Sequence, residues 1–150
     1  MTAEISDLQI NSGLTNDEFN RILKFYKAWH TNDTTSVDDI CHPEWQDIPL
    51  APGQALGPAG LKELINFFND AFPDIEVIIN DIFGTTERVV VRAELVFTHN
   101  KPLMGIPPLN QKVKVRIFEI HHLRDGKITH TWHLEDWFGL LMQSGTWKIN

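Results

Sequence analysis

The apolar pattern of the chain changes period at Pro73, from helical spacing before it to long runs of β-branched and aromatic residues after it. Four such runs, Ile75–Phe83, Val89–Thr98, Lys112–His122 and Ile128–Asp136, read as strands. Between the last two stands Asp125-Gly126, a pair that supplies the positive φ a tight hairpin needs. Helices first and an antiparallel meander afterwards define an α+β chain rather than an alternating α/β one. Strands this long and apolar cannot lie flat with one face in water. Wrapped around the helices they make an open cone, an architecture suited to holding a ligand.

The helical half has its own punctuation. Thr15 and Glu18 form a capping box, and Phe19, Ile22, Leu23, Tyr26 and Trp29 follow at helical spacing, predicting a first helix over about Asn16–Asn32. Ser36 is placed to cap a short turn through Val37–Cys41, which His42-Pro43 ends. Asp47–Gly57 is expected to be mostly irregular. Gly57-Pro58 opens a second helix with a stripe of Leu61, Leu64, Ile65, Phe68, Ala71 and Phe72. A short helix over Trp137–Gln143, with Asp136 as its cap, closes the pattern. One domain over 1–150 is expected, with 1–13 a flexible tail.

Charge narrows the partners. Against 13 Lys and Arg stand 20 Asp and Glu, a formal net charge of −7 without any basic run, so nucleic acid and anionic membrane are not expected. No stretch approaches a membrane span, and the N-terminal residues lack a signal-peptide layout. The single cysteine, Cys41, excludes an internal disulfide and suits a reducing compartment; its acidic neighbours Asp38, Asp39 and Glu44 make it a buried small hydrophobe rather than a nucleophile. A cytoplasmic location is the expectation.

Several segments in order resemble one family: His42-Pro43-Glu44-Trp45, then Gly57-Pro-Ala-Gly-Leu with Ala71-Phe72-Pro73-Asp74, then Thr98-His99 leading into Gly105-Ile-Pro-Pro, Asp125-Gly-Lys-Ile, and Asp136-Trp-Phe-Gly-Leu-Leu-Met-Gln-Ser-Gly. Together they make the chain similar to the SnoaL-like polyketide cyclases of the nuclear-transport-factor-2-like superfamily. The resemblance implies a cone-shaped α+β barrel, no metal or cofactor, and ring closure by intramolecular aldol condensation in the best-known members. Those members use an aspartate as acid/base, a histidine and a glutamine on the neighbouring strand, and an asparagine after the His-Pro segment. Here these positions hold His133, Glu119, Ile117 and Asp47, so none of the four matches.

Alternation puts Ile117, Glu119 and His121 on one face of their strand and Thr131, His133 and Glu135 on one face of the next, with Glu119 opposite His133. A Glu–His dyad is expected, His133 being the acid/base, Glu119 its orienter and Asp47 an accessory polar group. The same pair also suits a satisfied structural contact, or a dimer interface on the outer face of the sheet. Ile117, His121, Thr131, His99, Trp45 and Met104 are the expected ligand contacts, with His99 or Thr131 donating to an enolate oxygen. Glu119, His121 and His133 also share parity as a two-His, one-carboxylate set, although no metal is expected. His122 is read as structural, and His30 and His42 as helix-end residues. One or two of Trp29, Trp45, Trp132 and Trp137 are expected to line a pocket. The apolar loop from Pro102 to Leu109 is either a lid or a packing surface for a second subunit. The function expected is that of a cofactor-independent acid/base enzyme on an apolar carbonyl-bearing molecule. Its rivals are a non-catalytic binder of the same fold and a subunit whose main role is self-assembly as a homo-oligomer.

Overall fold

The computed structural model describes residues 13–147, so most of the expected N-terminal tail lies outside the described residues. Helix α1, Asn16–Thr31, begins at the capping box: Thr15 Oγ1 accepts from the Glu18 amide, and the Glu18 carboxylate accepts from the Thr15 amide. Asn32 then turns left-handed, at φ 53°, and ends it. The following turn is capped by Asp33 and not by Ser36. The Asp33 carboxylate accepts from the Thr35 and Ser36 amides, which starts a 3₁₀ turn at Thr34–Ser36 and then helix α2, Val37–Ile40. Helix α3, Gly57–Ala71, has Pro58 in its first turn and buries Leu61 and Ile65.

Strands β2 (Glu76–Gly84), β3 (Arg88–Thr98), β4 (Lys112–Arg124) and β5 (Lys127–Glu135) fall within two residues of the sequence expectation, and helix α4 is Trp137–Gln143. Asp125 and Gly126 both have positive φ, 52° and 72°, as the tight hairpin between β4 and β5 requires. One strand was not foreseen. Cys41–Ile48 is β1, an edge strand pairing parallel with β5, so the sheet runs β1-β5-β4-β3-β2 and is mixed rather than purely antiparallel. Pro43 reads as a breaker, but an edge strand tolerates it because one side of its backbone is unpaired. His42 accordingly lies in a strand and not at a helix end.

Bulges at Ile79/Asp81, His122/Leu123 and Cys41/Gln46 help curve this unclosed sheet. The α+β architecture is as expected. The inner face packs on α1 and α3 around a core that includes Ile22, Ile65, Phe72, Phe97, Ile128 and Leu140, all fully buried. On β4 the alternation is strict, with Val113, Val115, Ile117, Glu119 and His121 inward, and Phe118 and Ile120 outward. Among the described residues no helix is long and apolar enough to cross a membrane.

Two local features position the site. Leu103 and Ile106 pair in a tight bridge and bury into the core, leaving Met104 at the cavity. The β1–α3 loop is held by Gly60, where any Cβ would collide with the Ala55 carbonyl oxygen. That close approach packs Gln54 and Ala55 on the start of α3, while Gln54 bonds to Asp47 and the Pro49 carbonyl to His133.

Candidate active site

A cavity of about 410 Å³ lies between the helices and the inner face of the sheet. That volume suits a drug-sized molecule. Its walls are mostly apolar: Phe25 and Trp29 from α1, Leu61 and Phe68 from α3, Val77 and Leu95 from the strands. Trp45 and Trp137 line it as well, whereas Trp132 lies outside it and packs against His122 and His130.

The polar groups form two clusters. In the first, β5 aims His133 at the β1–α3 loop. His133 Nδ1 donates to Glu135 Oε1 at 2.7 Å, while Nε2 faces the Pro49 carbonyl at 2.7 Å and Asp47 Oδ1 at 3.2 Å. Acceptors on both nitrogens are satisfied only by the doubly protonated ring. Burial works against that charge. The Glu135 hydrogen bond and carboxylate, then Asp47 and the Pro49 carbonyl, outweigh it and push the imidazole up to about 9. Asp47 Oδ2 accepts from Gln54 Nε2 at 2.7 Å, and Gln54 Oε1 accepts from the Ala51 amide at 2.8 Å, tying the loop to the site. Burial raises the Asp47 carboxyl above its ordinary value, against the pull of Gln54 and His133.

The second cluster is a chain of hydrogen bonds whose direction is fixed at both ends. Trp45 Nε1 can only donate, and does so to Thr131 Oγ1 at 3.0 Å. The Thr131 hydroxyl then donates to His121 Nδ1 at 3.0 Å, His121 Nε2–H donates to the Tyr26 oxygen at 2.7 Å, and the Tyr26 hydroxyl donates to Glu119 Oε2. For a neutral imidazole this order makes His121 the Nε2–H tautomer. Burial, followed by the Glu119 charge, pushes the Tyr26 phenol well above its usual range, so it stays a donor.

Glu119 therefore stands opposite His133 in the strand register, as expected, but its carboxylate goes to Tyr26, with His121 Nε2 3.4 Å away. The carboxylate partners of His133 are instead Glu135 and Asp47. Tyr26, Gln54 and Pro49 had not been foreseen in the site. Glu135 had been placed on the correct face, and its spacing of two from His133 was the available signal.

Asp47, Glu119, His133, Ile117, Thr131 and Trp45 all line the cavity, together with Met104. His121 and His99 do not. His121 is fully buried inside the hydrogen-bonded chain. His99 is fully buried in a separate aromatic cluster with Phe72 and Phe97, off the cavity wall, so it does not reach a cavity ligand. Nor do Glu119, His121 and His133 converge. Among the described residues no group of three or more His, Cys, Asp and Glu is arranged to hold a metal ion.

The family model for SnoaL-like polyketide cyclases matches residues 20–144. The chain belongs to that family. Among curated relatives of this SnoaL-like chain, nogalonic acid methyl ester cyclase from Streptomyces nogalater is 26% identical over 121 residues, covering 79% of this chain and 90% of the relative. Among solved structures, a candidate polyketide cyclase from Bacillus cereus ATCC 10987 superposes with a TM-score of 0.73 at 29% identity, covering 86% of this chain and 80% of the other. TsrD from Streptomyces laurentii gives 0.78 at 21% identity, with 89% and 99% covered, a likeness of fold alone. The SnoaL-like fold hosts the two polar clusters, and a fold alone does not dictate the chemistry of such groups.

Proposed function

We propose that this chain is a cofactor-independent acid/base enzyme acting on an apolar, carbonyl-bearing small molecule, as a cyclase, isomerase or hydrolase-like member of the SnoaL-like family. The observation that carries this reading is His133 set between Asp47 and Glu135 on the wall of an otherwise largely apolar cavity. In the proposed step Asp47 removes a proton from the carbon next to a substrate carbonyl. Its raised pKa makes it a stronger base than an exposed aspartate, and such positioned transfer contributes typically about 10²–10⁴-fold in rate. The C–H electron pair moves onto the carbonyl oxygen, which takes a hydrogen bond from His133 Nε2–H in place of Pro49. In a cyclase the enolate carbon then bonds to a second carbonyl carbon, and the new alkoxide recovers the proton from Asp47. Glu135 holds the ring from Nδ1, the orienting role first expected of Glu119.

The rival reading, a binder without turnover, is favoured by the engagement of both His133 nitrogens within the protein. Nogalonic acid methyl ester is the first substrate to try, followed by aromatic β-keto esters in deuterium oxide. Exchange or ring closure by the wild type, lost about 100-fold in Asp47→Asn and His133→Asn with binding retained, supports the enzyme. Binding without exchange or closure in the wild type leaves only the container. We also infer self-association through the outer sheet face, where Phe118 and Leu134 are paired in register and 54% and 72% exposed. Light scattering over a concentration series tests it, and a monomer throughout removes it.

A further inference from the structure

We propose that the cavity selects its ligand by charge, admitting neutral and cationic apolar molecules and rejecting those with a free carboxylate, so that an acid enters only as its ester or amide. The inference rests on the reading above only in taking this cavity as the ligand site.

The charged groups that line the cavity are Asp47, Glu119, Glu135 and His133, with no lysine or arginine among them. Three carboxylates face one imidazolium. The imidazole is moreover flanked by carboxylates at both nitrogens, Glu135 at Nδ1 and Asp47 at Nε2, so that even when Nε2–H turns from Pro49 to a ligand oxygen its charge is already offset. Of the other donors, the Trp45 indole is committed to Thr131, the Thr131 hydroxyl to His121 and the Tyr26 hydroxyl to Glu119, which leaves mainly the neutral indoles of Trp29 and Trp137 on the wall. An entering carboxylate would lose its water, meet like charge and find few free donors, each of which is unfavourable. A ligand that brings hydroxyl or ammonium donors meets the opposite situation. Carboxylate oxygens accept them, and the aromatic side chains Phe25, Trp29 and Phe68 line the wall a cation would meet.

The test is calorimetric titration at pH 7 with a matched set of probes: methyl 1-naphthylacetate, 1-naphthylacetic acid and 2-(1-naphthyl)ethylamine. Ester and amine are expected to bind, and the acid at least about tenfold more weakly. Glu119→Gln, whose amide oxygen can still accept from Tyr26, should narrow the gap between ester and acid. Asp47→Asn provides the same check should that variant fold poorly. Equal binding of acid and ester overturns the proposal. So does rejection of the amine along with the acid, because plain desolvation of any charge would then explain both. A gap unchanged in the folded variants, or no binding by any probe, overturns it as well. No turnover is read, so a failed catalytic reading leaves this result standing and the reverse holds equally.

Discussion

His133 and Glu135 lie two residues apart on one strand, and the 2.7 Å bond from Nδ1 to Oε1 runs along β5 rather than across to β4. With Asp47 at Nε2, this arrangement holds the imidazole as a cation at neutral pH. Replacing Glu135 by Gln keeps an acceptor at Nδ1 and removes the charge. The His133 midpoint, followed by NMR, should lie at about 9 in the wild type and fall by at least about one unit in Glu135→Gln. A wild-type ring titrating near its ordinary value would remove the electrostatic basis of the site.

The hydrogen-bonded chain from Trp45 to Glu119 should behave as one unit. Thr131→Val leaves the buried Trp45 indole and His121 Nδ1 without a partner, and such loss costs about 2–3 kcal/mol. Tyr26→Phe removes the link between His121 and Glu119 at about 2 kcal/mol. Because both substitutions break the same chain, the double variant should cost less than the two together, as read by urea denaturation.

Gly60 ties helix α3 to the loop that carries Pro49 and Gln54. In Gly60→Ala the new methyl meets the Ala55 carbonyl, so either the loop or the helix start must move. The expected result is weaker binding of methyl 1-naphthylacetate together with a downward shift of the His133 midpoint, as the Pro49 carbonyl withdraws. A His133 midpoint that does not move would show that the loop is held by other contacts.

How much of this was legible in the sequence depends on which contacts run along strands. The Asp125-Gly126 turn marked the β4–β5 hairpin and alternation marked the inward face of Glu119, His121, Thr131 and His133, while the bulge at His122/Leu123, which shifts the pairing by one residue, brings Glu119 opposite His133. Parity says which face a side chain takes but not which neighbour it chooses. Glu119 was captured by Tyr26 from α1, a helix-to-sheet contact without a sequence period. Asp47 reached His133 because β1 is a parallel edge strand broken by a bulge, and its pairing with β5 spans most of the chain. His99 continues the inward parity of Val91, Ala93, Leu95 and Phe97, yet at that end of β3 inward means the aromatic core and not the cavity.

Cys41 should be inert in the folded protein. Its side chain is buried, and burial followed by the Asp38 charge pushes the thiol up to about 12, so almost no thiolate forms near neutral pH. A disulfide reagent should titrate one thiol in denaturant and react only very slowly without it. Rapid native reaction would mean that the β1 edge opens.

Two histidines give stability opposite dependences on pH. His133 has a folded pKa raised above its unfolded value near 6.5, so its contribution is complete below that pH and is lost as pH rises through about 9. At about 1.4 kcal/mol per unit, that is roughly 3 kcal/mol. His99 runs the other way. Burial holds its imidazole below the ordinary value, against a smaller pull from the Lys101 backbone, so the unfolded chain takes up its proton first and stability falls as pH drops below about 6.5. Urea denaturation from pH 5 to 9 should therefore show a maximum near neutrality. His133→Asn should flatten the alkaline limb and leave the acid limb. His99→Phe, a ring placed beside Phe72 and Phe97, should make the acid limb shallower and leave the alkaline one, the remaining acid slope coming from His122, whose imidazole is also held low by burial and Arg88. The assignment fails if either variant flattens the wrong limb, because the two rings lie in separate clusters and their effects should add independently.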